Sequence, residues 1–404
     1  MKLIQFIILL VLLNLNYAQS SNIQKKIQTD LILATKGSII KLPEGKIDLS
    51  RVLSADNLND VTILGSGIDK TILSFKNQIE GAEGIKISNS KNVTLRGFTI
   101  EDSKGDLIKV EDTEGISFIN IKAQWTGGPK STNGSYALYP VKSEKVFIDS
   151  CIAIGASDAG IYVGQSKEII VRNSEAYFNV AGIEIENSTN ADVYNNHTYN
   201  NSGGILVFDL PDLLIKKGKN VRVFDNKVEN NNLTNFAPPG NIVAKVPSGT
   251  GVMILATSNV EIFNNQIINN KTANTSIVSY FITEEPISDS LYYPYPNSIY
   301  IHDNIFFRDK QLPSFSFKQP IGFLLAYNFW RKVPDIIYDG IVDADLLNDD
   351  DEMLVKDRIC IRNNENSTFV NLNAENDFKD MSIDISKHDC SHMPLNEVVY
   401  PFKK

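Results

Sequence analysis

The chain has 404 residues, with 39 Lys and Arg against 48 Asp and Glu, a net charge of −9 and only four His. Its cations are scattered rather than clustered, which argues against nucleic acid or an anionic membrane surface as partner. An acidic surface also disfavours a polyanionic sugar unless a local basic groove or a bound cation compensates.

Lys2, an uncharged apolar run from Leu3 to Leu15 and Asn16-Tyr17-Ala18 read as a signal peptide over residues 1–18, too short for a comfortable membrane span. The mature protein is therefore expected to be periplasmic or secreted. Residues 19–36 place Ile23, Ile27, Leu31 and Leu33 at the spacing of a short amphipathic helix. Such a helix suits the open end of a stacked core, which otherwise exposes apolar side chains and strand edges.

Residues 37–308 carry a repeat. Gly160-Ile161-Tyr162-Val163, Gly182-Ile183-Glu184-Ile185 and Gly204-Ile205-Leu206-Val207 follow one another at 22-residue intervals, and Gly251-Val252-Met253-Ile254 repeats the step after an insertion. Within each unit the apolar residues alternate with period two, as in Ile161/Val163 and Ile169/Val171. A 22-residue unit is too short for a strand, a helix and their connections. It fits three short strands per turn, each burying one face, so the expected fold is all-β: a single-stranded right-handed parallel β-helix, or solenoid. The glycine is expected to supply backbone freedom at a corner.

Asn196, Asn226, Asn265 and Asn304 each lie five residues after the start of an apolar pair, a register that predicts an internal asparagine ladder. Cys151 falls in an inward register and is expected to be a buried free thiol. Four stretches interrupt the period: Trp125–Leu138, Asp209–Asn220, Asn230–Gly251 and Thr272–Asn297. Insertions at one corner of a solenoid usually build its binding surface. After Arg308 the pattern dissolves, and residues 309–404 are expected to form an irregular C-terminal cap. Cys360 and Cys390 lie there; export would permit a disulfide, and two reduced thiols are the alternative.

Chemistry is sought on outward strand positions and nearby corners. Glu184 and Glu186, two apart on one strand, are expected to face solvent on the same side, with Asp158 and Asp209 at corners beside them. Paired carboxylates serve acid/base catalysis or hold a cation, and they also match any exposed strand face. Trp125, Tyr136, Tyr139 and Tyr162 in or beside the first insertion offer flat faces on which sugar rings pack, with Lys109 available to counter substrate charge. No metal is expected: His197 and His302 belong to well-separated coils, and His388 and His392 lack a second ligand pair. No cofactor signature occurs.

Three strings resemble a family of exported bacterial parallel β-helix repeat-containing proteins: Gly155-Ala156-Ser157-Asp158-Ala159-Gly160-Ile161-Tyr162-Val163-Gly164-Gln165-Ser166, Ala181–Ser188 and Gly203–Pro211, together with Tyr139-Pro140-Val141. More broadly, the coils resemble the carbohydrate-binding and sugar-hydrolase domains of the pectin-lyase-like superfamily. The resemblance implies a protein that binds, and in the enzyme members modifies as a lyase, epimerase or hydrolase, an extracellular polysaccharide. The alternative it implies is a non-catalytic scaffold or accessory protein for an exported cytochrome-like redox partner. The Asp-Pro-His-Asp, Gly-His-Gly and Arg-x-Pro-x-x-Arg signatures of the superfamily's enzymes are absent, so fold alone does not give activity here.

Overall fold

A computed structural model describes residues 21–315, 320–350 and 352–399, and the expected signal peptide lies outside them. Helical residues 21–32 turn Ile27 and Leu31 into the first coil's core. The strands that follow form two parallel sheets, of 11 and 19 strands among the described residues. One coil shows the pattern: Ala159–Gly164 lies in the smaller sheet, and Lys167–Arg172 and Glu175–Tyr177 lie in the larger. The next coil repeats it with Ala181–Glu186, Thr189–Tyr194 and His197–Tyr199. Stacking is in register, so Ile161 sits on Ile183, Ile183 on Ile205 and Ile205 on Val252. Alternate residues therefore form columns, and the inward columns build one apolar core along the stack. This is the right-handed parallel β-helix expected from the repeat.

The repeat's glycines serve a different purpose from the one expected. Gly182 and Gly204 do not occupy the left-handed region; a Cβ on Gly182 would lie 2.6 Å from the Gly204 carbonyl oxygen, and one on Gly204 2.6 Å from that of Gly251. Close approach between coils is what excludes a side chain there. The bends fall instead to Asn and Asp residues with positive φ, among them Asn173, Asn195, Asn200 and Asn230, whose short polar side chains tolerate that conformation.

The asparagine ladder is present and extends further than expected. Asn196 Nδ2 donates to Asn226 Oδ1 at 3.0 Å, Asn226 to Asn265 at 3.0 Å, Asn265 to Asn304 at 2.9 Å and Asn304 to Asn364 at 2.9 Å. A second ladder links Asn179, Asn201, Asn231, Asn270 and Asn274 at another corner. Cys151 is buried and unpaired, its thiol pushed up to about 12 by desolvation.

Coiling continues beyond Arg308, where the sequence pattern ended. Ile336–Tyr338 and Phe369–Asn371 extend the smaller sheet, and Ile359–Arg362 extends the larger. The period fails because long excursions, including a helix over Ile321–Phe329, separate these strands. Cys360 and Cys390 form a disulfide. From Cys390 the last described residues run backward along the stack, across the larger sheet. The Leu395 N–H donates to Glu261 Oε2 and the Val398 N–H to Asp192 Oδ2, and Val398 packs with Phe147 and Ile170.

Candidate functional site: a tyrosine–carboxylate cluster on the smaller sheet

Register assembles the cluster. On the outer face of the smaller sheet one column runs Lys86, Lys109, Tyr139, Tyr162, Glu184, Leu206, Met253, and the next contains Glu111, Val141, Gly164, Glu186 and Phe208. Tyr139 and Pro140 continue the ladder from Lys109 and Val110. Gly164 opens the space into which the Tyr162 ring leans, since a Cβ there would meet the Tyr162 hydroxyl at 2.2 Å.

Glu184 and Glu186 do point away from the coil interior, but solvent does not reach them. Glu184 is 1% exposed, Glu186 7% and Asp158 6%. Two insertions fold back over this face: Asn230–Gly251, and Thr272–Asn297, which adds Tyr280 and Tyr292 to the same apolar cluster. In the first, Val243 and Val246 pack with Tyr162, Leu206 and Phe208 in that cluster outside the coil, and the Asn241 amide donates to Asp158 Oδ2 at 3.3 Å. Strand periodicity identifies a residue as outward; it says nothing of a distant segment lying over it.

Within the cluster the Tyr162 hydroxyl donates to Glu186 Oε1 at 2.6 Å and the Tyr136 hydroxyl lies 3.4 Å from Asp158 Oδ2. The rings of Tyr136, Tyr139 and Tyr162 pack together, with centroids 4.4 to 5.1 Å apart. Glu184 Oε2 is buried without a hydrogen-bond partner. Desolvation is the main cause pushing all three carboxyls up: Asp158 to about 7 and Glu184 well above the usual carboxylate range, both also repelled by Glu186, and Glu186 to about 7 against the lowering effect of Tyr162 and Glu184. Burial thus favours the protonated form of Glu184 beside Glu186. The same burial pushes the Tyr136 and Tyr162 hydroxyls up. This is a proton-sharing group able to give and take protons near neutrality.

The remaining expected residues divide. Tyr136 and Tyr139 are half-buried at the edge of the cluster. Lys109 lies 5.4 Å over the Tyr139 ring and is ion-paired at 3.2 Å to Glu111, which it shares with Lys86, so the two lysines are only half neutralised. Asp209 is buried to one side, its Oδ1 accepting from the Gly218 N–H at 2.7 Å, with its carboxyl pushed up to about 6 by desolvation. Trp125 is not a binding platform. It is 5% exposed and its Nε1 donates to the Ser103 carbonyl at 2.9 Å, pinning the first insertion to the coil. Asp106, which sequence reasoning missed, lies beside Tyr136, accepts its N–H at 3.0 Å and is pushed up to about 6 by burial. Its corner position in the coil before Tyr136 was the available signal. Among the described residues no group of three or more His, Cys, Asp or Glu side chains has the geometry to hold a metal ion.

A cavity of about 400 Å³ also opens on this sheet, toward the C-terminus. It is lined mainly by apolar residues and contains none of Asp158, Glu184 or Glu186. Phe208, next to Glu186 in register, is one of its walls. No described helix is long and apolar enough to cross a membrane.

The family described as the right handed beta helix region matches residues 53–209 and 130–282, together more than half of the chain. The chain belongs to that family. Similar solved structures include the A-module of the mannuronan C-5 epimerase AlgE4 from Azotobacter vinelandii, at 13% identity over 81% of this chain and 86% of that one, TM-score 0.47. The DFA-IIIase of Arthrobacter chlorophenolicus A6, bound to DFA-III, is 13% identical over 74% and 82%, TM-score 0.41. Pectate lyase Pel9A is 13% identical over 69% of each chain, TM-score 0.37. Likenesses this distant speak to the fold alone. No curated protein matches the chain.

Proposed function

We propose that this is an exported protein that binds an extracellular polysaccharide along the smaller sheet and cleaves it at the tyrosine–carboxylate cluster. The observation that carries the reading is the Glu186 carboxyl at about 7, hydrogen-bonded by Tyr162 and backed by a protonated Glu184. A carboxyl that exchanges its proton near neutral pH is what general acid–base attack on a glycosidic bond requires. Asp158 is the second carboxyl, and the half-buried Tyr136 and Tyr139 rings form the approach. The Asn230–Gly251 insertion is the element a sugar displaces, and near Asp158 its polar hold includes the 3.3 Å amide contact from Asn241.

The electrostatics favour a neutral glycan. A polyuronate would bring its carboxylates against Asp106, Asp158, Glu186 and Asp209, while Lys86 and Lys109, which share Glu111, leave one net positive charge to meet them. Purified mature protein is to be screened against alginate, pectin and neutral glycans, for binding and for new reducing or unsaturated ends. A neutral glycan should bind and yield reducing ends, and Glu186→Gln should abolish turnover with the circular dichroism unchanged. Binding to none of the polymers removes the sugar reading. Turnover of alginate or pectin with unsaturated ends replaces hydrolysis by lyase chemistry.

A further inference from the structure

The cavity toward the C-terminal end of the smaller sheet has its own chemistry. Its walls are Phe208, Met253, Leu255 and Val278 from the sheet, Val246 from the Asn230–Gly251 insertion, and Leu324 and Leu325 from the helix Ile321–Phe329. Its volume of about 400 Å³ falls in the range of small-molecule sites. Most of its polar lining groups are already occupied. The Asp339 carboxylate accepts the N–H groups of Ser279 and Ile341, at 2.6 and 3.1 Å. Lys245 Nζ donates to the Thr283 carbonyl at 2.5 Å and pairs with Glu285. The hydroxyls of Thr250 and Thr272 donate to the carbonyls of Pro247 and Ser248. A sugar entering here would exchange its water hydrogen bonds for little in return, whereas an alkyl chain loses none. The helix that supplies one wall also shows Phe323, Tyr327 and Trp330 to solvent, at 41%, 89% and 65% exposure. One element therefore presents apolar surface both to the cavity and to the exterior, which suits a ligand that is itself poorly soluble.

We infer that this cavity is a binding site for a single long acyl chain, separate from the tyrosine–carboxylate cluster and independent of the activity proposed for it. Dispersion and burial of methylenes hold the ligand, so affinity should rise with chain length and depend little on the headgroup.

The test uses the full mature protein in native mass spectrometry and calorimetry, with palmitate and monopalmitoylglycerol as probes that share a chain and differ in head, and butyrate as a short control. One equivalent of each long-chain probe should bind, and butyrate should not. Met253→Trp and Ser276→Phe, which push bulk into the cavity from two strands, should each weaken both long-chain probes at least about tenfold, the worth of displacing two methylenes. Thermal melts of both variants establish that they are folded, and a variant that melts early is set aside in favour of the other. Palmitate binding without monopalmitoylglycerol binding points to a surface cation and overturns the inference. So does equal binding of butyrate, absence of long-chain binding, or binding undiminished in the folded variants. Glycan binding by the same samples reports separately on the carboxylate cluster.

Discussion

Burial of the carboxylate cluster makes stability depend on pH in a direction opposite to that of ordinary surface acids. Glu186 moves from 4.5 in the unfolded chain to about 7 in the fold. The native state then holds a proton that the unfolded state has released, so stability from this group is fully present below pH 4.5 and is lost as pH rises through 7. At about 1.4 kcal/mol per pH unit, the loss approaches about 3 kcal/mol for Glu186. Asp158, Glu184 and Asp209 face the same site and act in the same sense. Other groups obscure this in the wild type alone: His302, raised by Glu261 and Asp303 against the lowering effect of its burial, also loses its contribution with rising pH, while Glu114, held down at about 2 by Lys145 and Lys91, titrates only in acid. The informative quantity is therefore the difference between wild type and Glu186→Gln, which keeps the acceptor for Tyr162 and removes the charge. Urea unfolding followed by circular dichroism should give the two proteins similar stability at pH 4.5. At pH 8.5 the variant should be the more stable, by up to about 3 kcal/mol. A difference that is the same at both pH values, or a variant less stable at pH 8.5, would refute the burial argument.

Two further outcomes follow from the interior of the stack. Asn265→Ala should destabilise by about 3 kcal/mol in thermal or urea unfolding: Asn265 Oδ1 is the acceptor of the buried Asn226 N–H, and its amide serves the Val223 carbonyl and Asn304, so truncation strands several polar groups at once. Replacing Cys360 and Cys390 by Ser should cost about 3 kcal/mol through a looser unfolded chain, and mass spectrometry of unreduced, unfolded, alkylated protein should show one blocked thiol, at Cys151.

The period-two beat and 22-residue step made the coil legible, because stacking in register forces every unit to repeat the same inward residues. Asn196, Asn226, Asn265 and Asn304 were readable for the same reason. The second ladder is equally periodic, each member from Asn201 to Asn270 lying five residues beyond one of the first. The outward residues were harder. Nothing local distinguishes Glu184 in a strand open to water from Glu184 on a face where Val243 and Val246 pack on its register neighbours Tyr162 and Leu206, since that covering segment lies some sixty residues away and is itself aperiodic. Trp125 failed as a binding residue for a related reason: its indole is aimed by the coil below it, through the Ser103 carbonyl, rather than by its own loop. The strands after Arg308 were invisible because excursions of irregular length break the count, although pairing with the preceding coils fixes their positions.

A stack in which each layer touches only the next behaves like a zipper and can open from either end. The terminal segment after Cys390 changes that behaviour. It is riveted to the final coils by a covalent bond and then travels back past the coils of Glu261 and Asp192 to bury Val398 between Phe147 and Ile170. Layers that share no strand contact are thereby joined, and the Asp192–Val398 bond alone spans 206 residues. Peeling the last coil must drag this strap off several others, so fraying at that end is converted into a concerted event, and the open zipper becomes a belted column.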